Sequence, residues 1–282
     1  MTGEAKLSDL LDAGEATLAN ALVPDAKHDA KSLLMWLLSL SETDVLLYKN
    51  RAVSRQDADA YFKLILKRSS RYPLQYIQGY ELFMGYPFKV GDGVFIPRPE
   101  TEVLCQIALQ ILGDIESPVH VLDLCSGSGA IGISLKKNRP EIHVTLSDMS
   151  HTALDTARDN AQSLGVTVQL YQSDLFQSLP RTLYQLIVCN PPYVSNTDYL
   201  NLQEEVLYEP RIALDGGENG MAFYSIIVCE YEKFLSRPGT LLLELGYNQG
   251  KDLLSLFCDK HNHVSIHPDQ YGRDRILRVD LF

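Results

Sequence analysis

The run Leu186-Ile187-Val188-Cys189 is apolar at every position and then stops at Asn190-Pro191-Pro192-Tyr193. A strand without alternation is buried on both faces, which is the condition of a parallel sheet between helical layers. The two prolines end it rigidly. Each locks its own φ and lacks an N–H, and Pro192 forces Pro191 into extended backbone. The Pro191 carbonyl and the Asn190 side-chain oxygen can then face one planar amino group, with Tyr193 packed along its plane. Pro-Pro alone reads as a rigid turn. Asn before it and Tyr after it, directly off a buried strand, make Asn190, Pro191, Pro192 and Tyr193 a candidate catalytic site.

The surrounding pattern extends this parallel reading. Strands are expected over His120–Leu124, His143–Ser147, Thr167–Gln172, Leu186–Cys189 and Thr240–Leu245. Helices are expected over Thr101–Leu112, Ala130–Lys137, Ser150–Leu164 and Gly220–Leu235. Such alternation implies an α/β sheet covered on both faces. Val264–Ile266 and Arg275–Phe282 read as a final antiparallel pair joined through Pro268, Gly272 and Arg273. Three regions follow: a helical domain over 1–75, a β-hairpin connector over 76–95 rich in aromatics and glycine, and a catalytic domain over 96–282. In the first region Leu7, Leu10, Leu11, Leu18 and Leu22, then Leu33, Leu34, Leu37 and Leu38, then Tyr61, Leu64 and Ile65 recur near a helical period. Ser54 is the expected N-cap of the last segment.

The first expected strand runs into Asp123-Leu124-Cys125-Ser126-Gly127-Ser128-Gly129 and then a helix. Glycine lets a backbone turn tightly and approach a ligand, and the helix N-terminus adds oriented N–H groups. Gly127, Gly129 and Gly132 also fit Gly-x-Gly-x-x-Gly, which leaves a nicotinamide enzyme open. Asp148 closes the second strand at the spacing of an acid that accepts ribose hydroxyls, and Asp174 with Leu175 closes the third. One strand-end Asp is as easily a turn cap. Acids after successive strands point to a ligand, because open α/β sheets bind outside the carboxyl ends of their strands.

Asn-Pro-Pro-Tyr resembles the mark of S-adenosylmethionine-dependent methyltransferases that act on nitrogen conjugated to a planar system. The wider chain is similar to the bacterial release factor glutamine methyltransferase family over nearly its whole length. The resemblance rests on Asp29-Ala30-Lys31-Ser32-Leu33-Leu34, Arg71-Tyr72-Pro73-Leu74-Gln75-Tyr76-Ile77-Gln78-Gly79 and Phe95-Ile96-Pro97-Arg98-Pro99-Glu100-Thr101-Glu102. It continues through Tyr208-Glu209-Pro210-Arg211-Ile212-Ala213-Leu214 with Gly216-Gly217, and Leu243-Glu244-Leu245-Gly246 with Gln249.

The resemblance implies a class I, Rossmann-like fold: a mostly parallel seven-stranded sheet with a C-terminal antiparallel hairpin, plus a small N-terminal helical domain that docks substrate. It implies S-adenosylmethionine as cofactor, S-adenosylhomocysteine as product, and the glutamine of the Gly-Gly-Gln loop of class I peptide chain release factors as substrate. Cys125, Ser126, Gly127, Ser128, Gly129, Asp148, Asp174, Leu175 and Asn190 would hold the cofactor. Asn190 to Tyr193 would hold the glutamine amide. Cys125 stands where the family usually has glycine, which a negative φ would make tolerable, and Leu175 often has a larger aromatic counterpart.

Composition narrows the alternatives. With 25 basic against 36 acidic residues the net charge is −11, which argues against stable nucleic-acid binding. Lys63, Lys67, Arg68 and Arg71 are read as a solvated helical face. Cys105, Cys125, Cys189, Cys229 and Cys258 lack paired spacing, so reduced, mostly buried thiols in a cytoplasmic protein are expected. No metal site is expected, and His261, His263 and His267 read as a solvated turn and strand. The charged N-terminus is not a secretory signal, and no apolar run spans a bilayer. A glutamine methyltransferase acting on a ribosomal protein or an adenine-N6 nucleic-acid methyltransferase would share the catalytic half. A nicotinamide oxidoreductase would leave Asn-Pro-Pro-Tyr unexplained, and a non-enzymatic scaffold would need neither end of the site.

Overall fold

The computed structural model describes residues 5–116, 118–258 and 263–282, in two units. One comprises the chain up to Gly79 together with Gln203–Tyr208; the other comprises Tyr80–Leu202 and Glu209–Phe282.

The first unit is helical. β1 (Ala5–Lys6), α1 (Leu7–Asn20), α2 (Ala26–Leu38), α3 (Glu42–Leu47), β2 (Ala52–Val53), α4 (Arg55–Ser69) and α5 (Leu74–Gln78) follow in order. Ser41 and Ser54 cap α3 and α4 by accepting the N–H groups of Asp44 and Asp57. Leu7, Leu10, Leu18, Leu33, Leu34, Tyr61 and Ile65 form the core. Leu22 departs from the expected stripe: α1 has ended at Asn20, Leu22 sits at φ 58°, and Val23 takes the buried place. Tyr61 packs so closely on Gly14 that a Cβ there would fall 2.1 Å from its hydroxyl.

The basic stretch is only half solvated. Arg68 is buried, donating to Asp29 at 2.7 Å and to Glu205 at 2.8 Å. Arg71 forks onto both Glu205 oxygens at 2.7 and 2.6 Å. Helical spacing could not show this, because Glu205 arrives from a segment far along the chain. Burial acts to raise the Glu205 carboxyl, but hydrogen bonds from Arg71 and Arg68 hold it down to about 2.

The second unit begins with a hairpin, β3 (Tyr80–Phe83) and β4 (Tyr86–Lys89), and continues through α6 (Glu102–Gly113), β5 (His120–Leu124), α7 (Ala130–Asn138), β6 (His143–Asp148), α8 (His151–Ser163), β7 (Gln169–Gln172) and β8 (Tyr184–Cys189). Then come α9 (Asn196–Tyr199), α10 (Ala222–Glu230), β9 (Leu235–Glu244), α11 (Gly250–Cys258), β10 (His263–Pro268) and β11 (Asp274–Leu281). The sheet order is β10-β11-β9-β8-β5-β6-β7, antiparallel at β10–β11 and β11–β9 and parallel elsewhere.

Leu122, Leu124, Leu186, Ile187, Val188 and Cys189 are fully buried, so helices cover both faces, as the absence of alternation requires. Helix α11 is an addition to the expected elements. It is nine residues long, and its apolar pair Leu253 and Phe257 gives too short a period to separate it from loop. Cys105 and Cys189 are buried free thiols, whereas Cys229 is exposed; the Cys258 side chain and His261 lie outside the described residues. No helix among the described residues is long and apolar enough to cross a membrane.

Candidate active site

Strand order reverses between β5 and β8, and register brings their ends level. Leu124 pairs with Cys189 on one side and with Ser147 on the other, so Cys125, Asp148 and Asn190 emerge together. This is the switch-point crevice where open α/β sheets bind ligands.

The loop after β5 folds back over β6. Ser126 donates its N–H to the Ser147 carbonyl at 3.0 Å, and Gly127 donates to Asp148 Oδ2 at 2.8 Å. That reversal places Cys125 at φ 59°, so the negative φ expected for it is not found; the left-handed backbone that glycine usually supplies is kept with a side chain in place. Gly127 lies at φ 54° with open space where a Cβ would stand. Gly132 is close packing instead, since a Cβ would come within 2.4 Å of Leu146. Its N–H donates to Asp123 Oδ2 at 2.8 Å. Burial pushes the Asp123 carboxyl up to about 7, against the pull of that N–H.

Among the described residues, the buried oxygens Asp123 Oδ1, Ser126 Oγ and Ser147 Oγ find no hydrogen-bond partner. Asp148 accepts from Ser150 N–H at 2.9 Å as well as from Gly127. Burial raises its pKa, and the backbone N–H groups of Ser150, Gly127 and Met149 oppose it. An open glycine cradle, orphaned polar oxygens and a carboxylate with lone pairs to spare at a helix N-terminus fit a nucleoside-bearing cofactor.

Asn160 was not legible as part of this site. Its buried amide accepts from Lys89 N–H at 2.7 Å and donates to the Ser128 carbonyl at 2.9 Å, tying the loop to β4. Asp174 lies beyond β7, exposed, with its carboxylate accepting from the Gln177 side chain at 3.0 Å. Leu175, at φ 48°, packs into the apolar cluster that contains Leu124.

At the other end, Asn190 and Tyr193 are half-buried and Pro191 and Pro192 buried. Asn190 Nδ2 donates to Thr101 Oγ1 at 3.3 Å. The Tyr193 hydroxyl donates to Glu244 Oε1 at 3.2 Å. Burial raises the Tyr193 pKa, and the neighbouring Glu244 charge adds to this.

Beyond Tyr193 the chain is held by backbone and by one glutamine. Val194 pairs with Asp215 in a parallel bridge. Gln249 Nε2 donates to the Tyr193 carbonyl at 3.1 Å and to the Gly220 carbonyl at 3.2 Å, while its Oε1 accepts from Gly246 N–H at 2.9 Å. Gly216 and Gly220 lie so near that a Cβ on either would meet Tyr193 backbone atoms at 2.7 or 2.3 Å. Glu209 is buried and accepts the Ile96 N–H at 2.9 Å and an Arg98 guanidinium N–H, fixing the Phe95–Pro99 segment.

A parallel sheet with an antiparallel C-terminal hairpin, a glycine loop on its first strand and Asn-Pro-Pro-Tyr on its fourth defines a class I methyltransferase. A methyltransferase from Pyrococcus furiosus shares the fold, with a TM-score of 0.53 at 15% identity over 70% of this chain and 89% of that one. Residues 93–225 match the methyltransferase small domain and residues 9–79 the PrmC N-terminal domain. The Release factor glutamine methyltransferase of Streptococcus pneumoniae is 38% identical over 249 residues, 86% of this chain and 88% of its own. That of Leptospira interrogans is 36% identical over 277 residues, 95% and 96% of the two chains. The chain belongs to the release factor glutamine methyltransferase family.

Proposed function

We propose that this protein transfers a methyl group from S-adenosylmethionine to the side-chain amide nitrogen of the glutamine in the Gly-Gly-Gln loop of class I peptide chain release factors. The observation that carries the reading is the pose of Asn190. With Nδ2 committed to Thr101, Oδ1 is the end left to accept, and the next residue in the chain, Pro191, supplies a second acceptor in its carbonyl. The cradle of Cys125 to Gly129 with Asp148 stands at the neighbouring strand ends. The net charge of −11 supports a protein rather than a phosphate-backbone substrate, and the reaction is placed in the cytoplasm, where translation occurs.

An amide nitrogen is a poor nucleophile because its lone pair is delocalised into the carbonyl. Asn190 Oδ1 and the Pro191 carbonyl would each accept one N–H, which raises electron density on nitrogen and fixes its direction. Tyr193, held by Glu244, would keep the amide plane from tilting. When bound, the cofactor supplies an electrophilic methyl on a sulfonium. Acceptor dipoles at the nitrogen would favour the positive charge that arrives there, and one of its two N–H protons is then released to solvent, leaving a neutral N-methyl amide and S-adenosylhomocysteine. Positioning of the reactants within about 3 to 3.5 Å provides the remainder.

The test is mass spectrometry of an unmodified release factor incubated with the protein and S-adenosylmethionine. One methyl on the Gly-Gly-Gln glutamine, abolished by Asn190→Ala with cofactor affinity retained, is the expected result. Transfer only to a ribosomal protein or to nucleic acid would overturn the substrate. Loss of cofactor binding in step with turnover would overturn the role given to Asn190.

A further inference from the structure

We propose that Asn160 is a positioning residue for the cofactor. It holds the glycine turn from behind and ties it to the β3–β4 hairpin, and so governs cofactor affinity through the backbone of the turn. The inference rests on the reading of Cys125 to Gly129 as the cofactor cradle.

The turn is gripped on two sides. Gly129 donates its N–H to the Ser126 carbonyl at 2.8 Å, which closes Ser126–Gly129 into a tight turn. On one side Gly127 donates to Asp148 Oδ2 at 2.8 Å. On the other the Ser128 carbonyl accepts from Asn160 Nδ2 at 2.9 Å. That carbonyl shares a planar peptide with the Gly129 N–H, so fixing one fixes the direction of the other. Gly127 and Gly129 sit at φ 54° and 79°, and glycine visits either sign of φ with little preference. Hydrogen bonds from outside the turn therefore select its conformation.

The Asn160 amide has one satisfied orientation. The residue is fully buried on the face of α8 that also carries Ala153, Ala157 and Ala161. Its Oδ1 accepts the Lys89 N–H at 2.7 Å, and its Nδ2 donates to the Lys89 and Ser128 carbonyls at 3.1 and 2.9 Å. Turning the amide over would set an oxygen against two carbonyls and an NH2 against an N–H. By taking both backbone groups of Lys89, the amide pairs with β4 as a neighbouring strand would, and its other proton reaches the turn. The same helix steadies the opposite grip, since Ser150 N–H at its N-terminus donates to Asp148 Oδ1 at 2.9 Å. Helix α8 thus sets both sides of the turn, through Asp148 at one end and Asn160 near the other. All three Asn160 side-chain bonds go to backbone, so its part is to position.

The test compares Asn160→Asp and Asn160→Leu with the control Asp159→Asn, which cuts only the exposed ion pair to Lys89 at 2.6 Å. Calorimetry with S-adenosylmethionine and with S-adenosylhomocysteine, well below each Tm, gives cofactor affinity. Steady-state methylation and amide hydrogen exchange at Gly129 are read beside it. Asn160→Asp should weaken cofactor binding about tenfold, because a carboxylate has no proton to offer the two carbonyls. KM for the release factor, and kcat at saturating cofactor, should change less than about threefold. Protonating the new carboxyl restores a donor, so the gap from wild type should close as pH falls. Asp123, Asp148 and the Lys89–Asp159 pair are common to both proteins and drop out of that comparison. Gly129 exchange, measured against β8 and without ligand, should quicken in both Asn160 variants and stay unchanged in Asp159→Asn.

A gap that does not vary with pH would mean lost packing rather than a lost donor, and would overturn the proposal. So would affinity within about twofold of wild type in both Asn160 variants, or an equal loss in Asp159→Asn. Should Asn160→Leu not fold, Asn160→Asp decides alone. Wild-type protein that binds neither molecule would overturn the cofactor reading of the loop, and Gly129 exchange would still judge whether Asn160 fixes the turn.

Discussion

Gln249 ties the Tyr193 end of the Asn190–Tyr193 segment to its neighbours, and Gln249→Met tests that hold with little change of volume. The side chain is 8% exposed and makes three hydrogen bonds, to the Tyr193 and Gly220 carbonyls and from the Gly246 N–H. At about 1 kcal/mol net for each bond, their loss amounts to roughly 3 kcal/mol, and leaving the backbone partners buried without water would add to it. For a domain of this size that is a fall in Tm of roughly 6–12 °C. Turnover should fall further than stability implies. The Tyr193 carbonyl would be released, and a misplacement near 1 Å at a reacting group costs on the order of a hundredfold. The assay pairs calorimetry with kcat measured well below the new Tm, and with cofactor affinity, which should hold because none of these three hydrogen bonds goes to the Cys125–Gly129 loop. A variant within about 2 °C and twofold of wild type would show that the backbone bridge at Val194 holds Tyr193 without help, refuting the reasoning.

Two further outcomes follow from the same geometry. Cys125→Gly should raise Tm by a few degrees with cofactor affinity unchanged, since a side chain at φ 59° costs about 1–2 kcal/mol, partly offset by the freedom glycine gains on unfolding; a fall in Tm would show that the thiol contributes packing that outweighs the strain. Glu205→Gln should flatten the acid limb of the helical unit's stability. The wild-type carboxyl is held at about 2 against an ordinary 4.5, so its contribution is complete above pH 4.5 and lost as pH falls toward 2; acid titration by circular dichroism showing the same slope in both proteins would count against the Arg68 and Arg71 pairing.

The sheet was legible because its cause is local: an apolar run buried on both faces carries its own pattern, and His120–Leu124 emerges with the bounds the residues imply. The loop glycines and Asn-Pro-Pro-Tyr were legible for the same reason, since φ preferences and missing donors belong to single residues. What stayed hidden has a non-local cause. Arg68 reads as solvated until Asp29 and Glu205 arrive from 39 residues before and 137 after it. Asn160 looks like one more helical polar residue until β4 and the Ser128 carbonyl close around its amide. Thr101, Glu244 and Gln249 were visible only within longer motifs, with no sign of what each would touch. Spacing says nothing about which end of an amide faces a ligand; donors and acceptors brought together by the fold decide that. For Asn190 the fold engages one end only: Nδ2 meets the Thr101 oxygen at 3.3 Å, which leaves Oδ1 as the end able to accept.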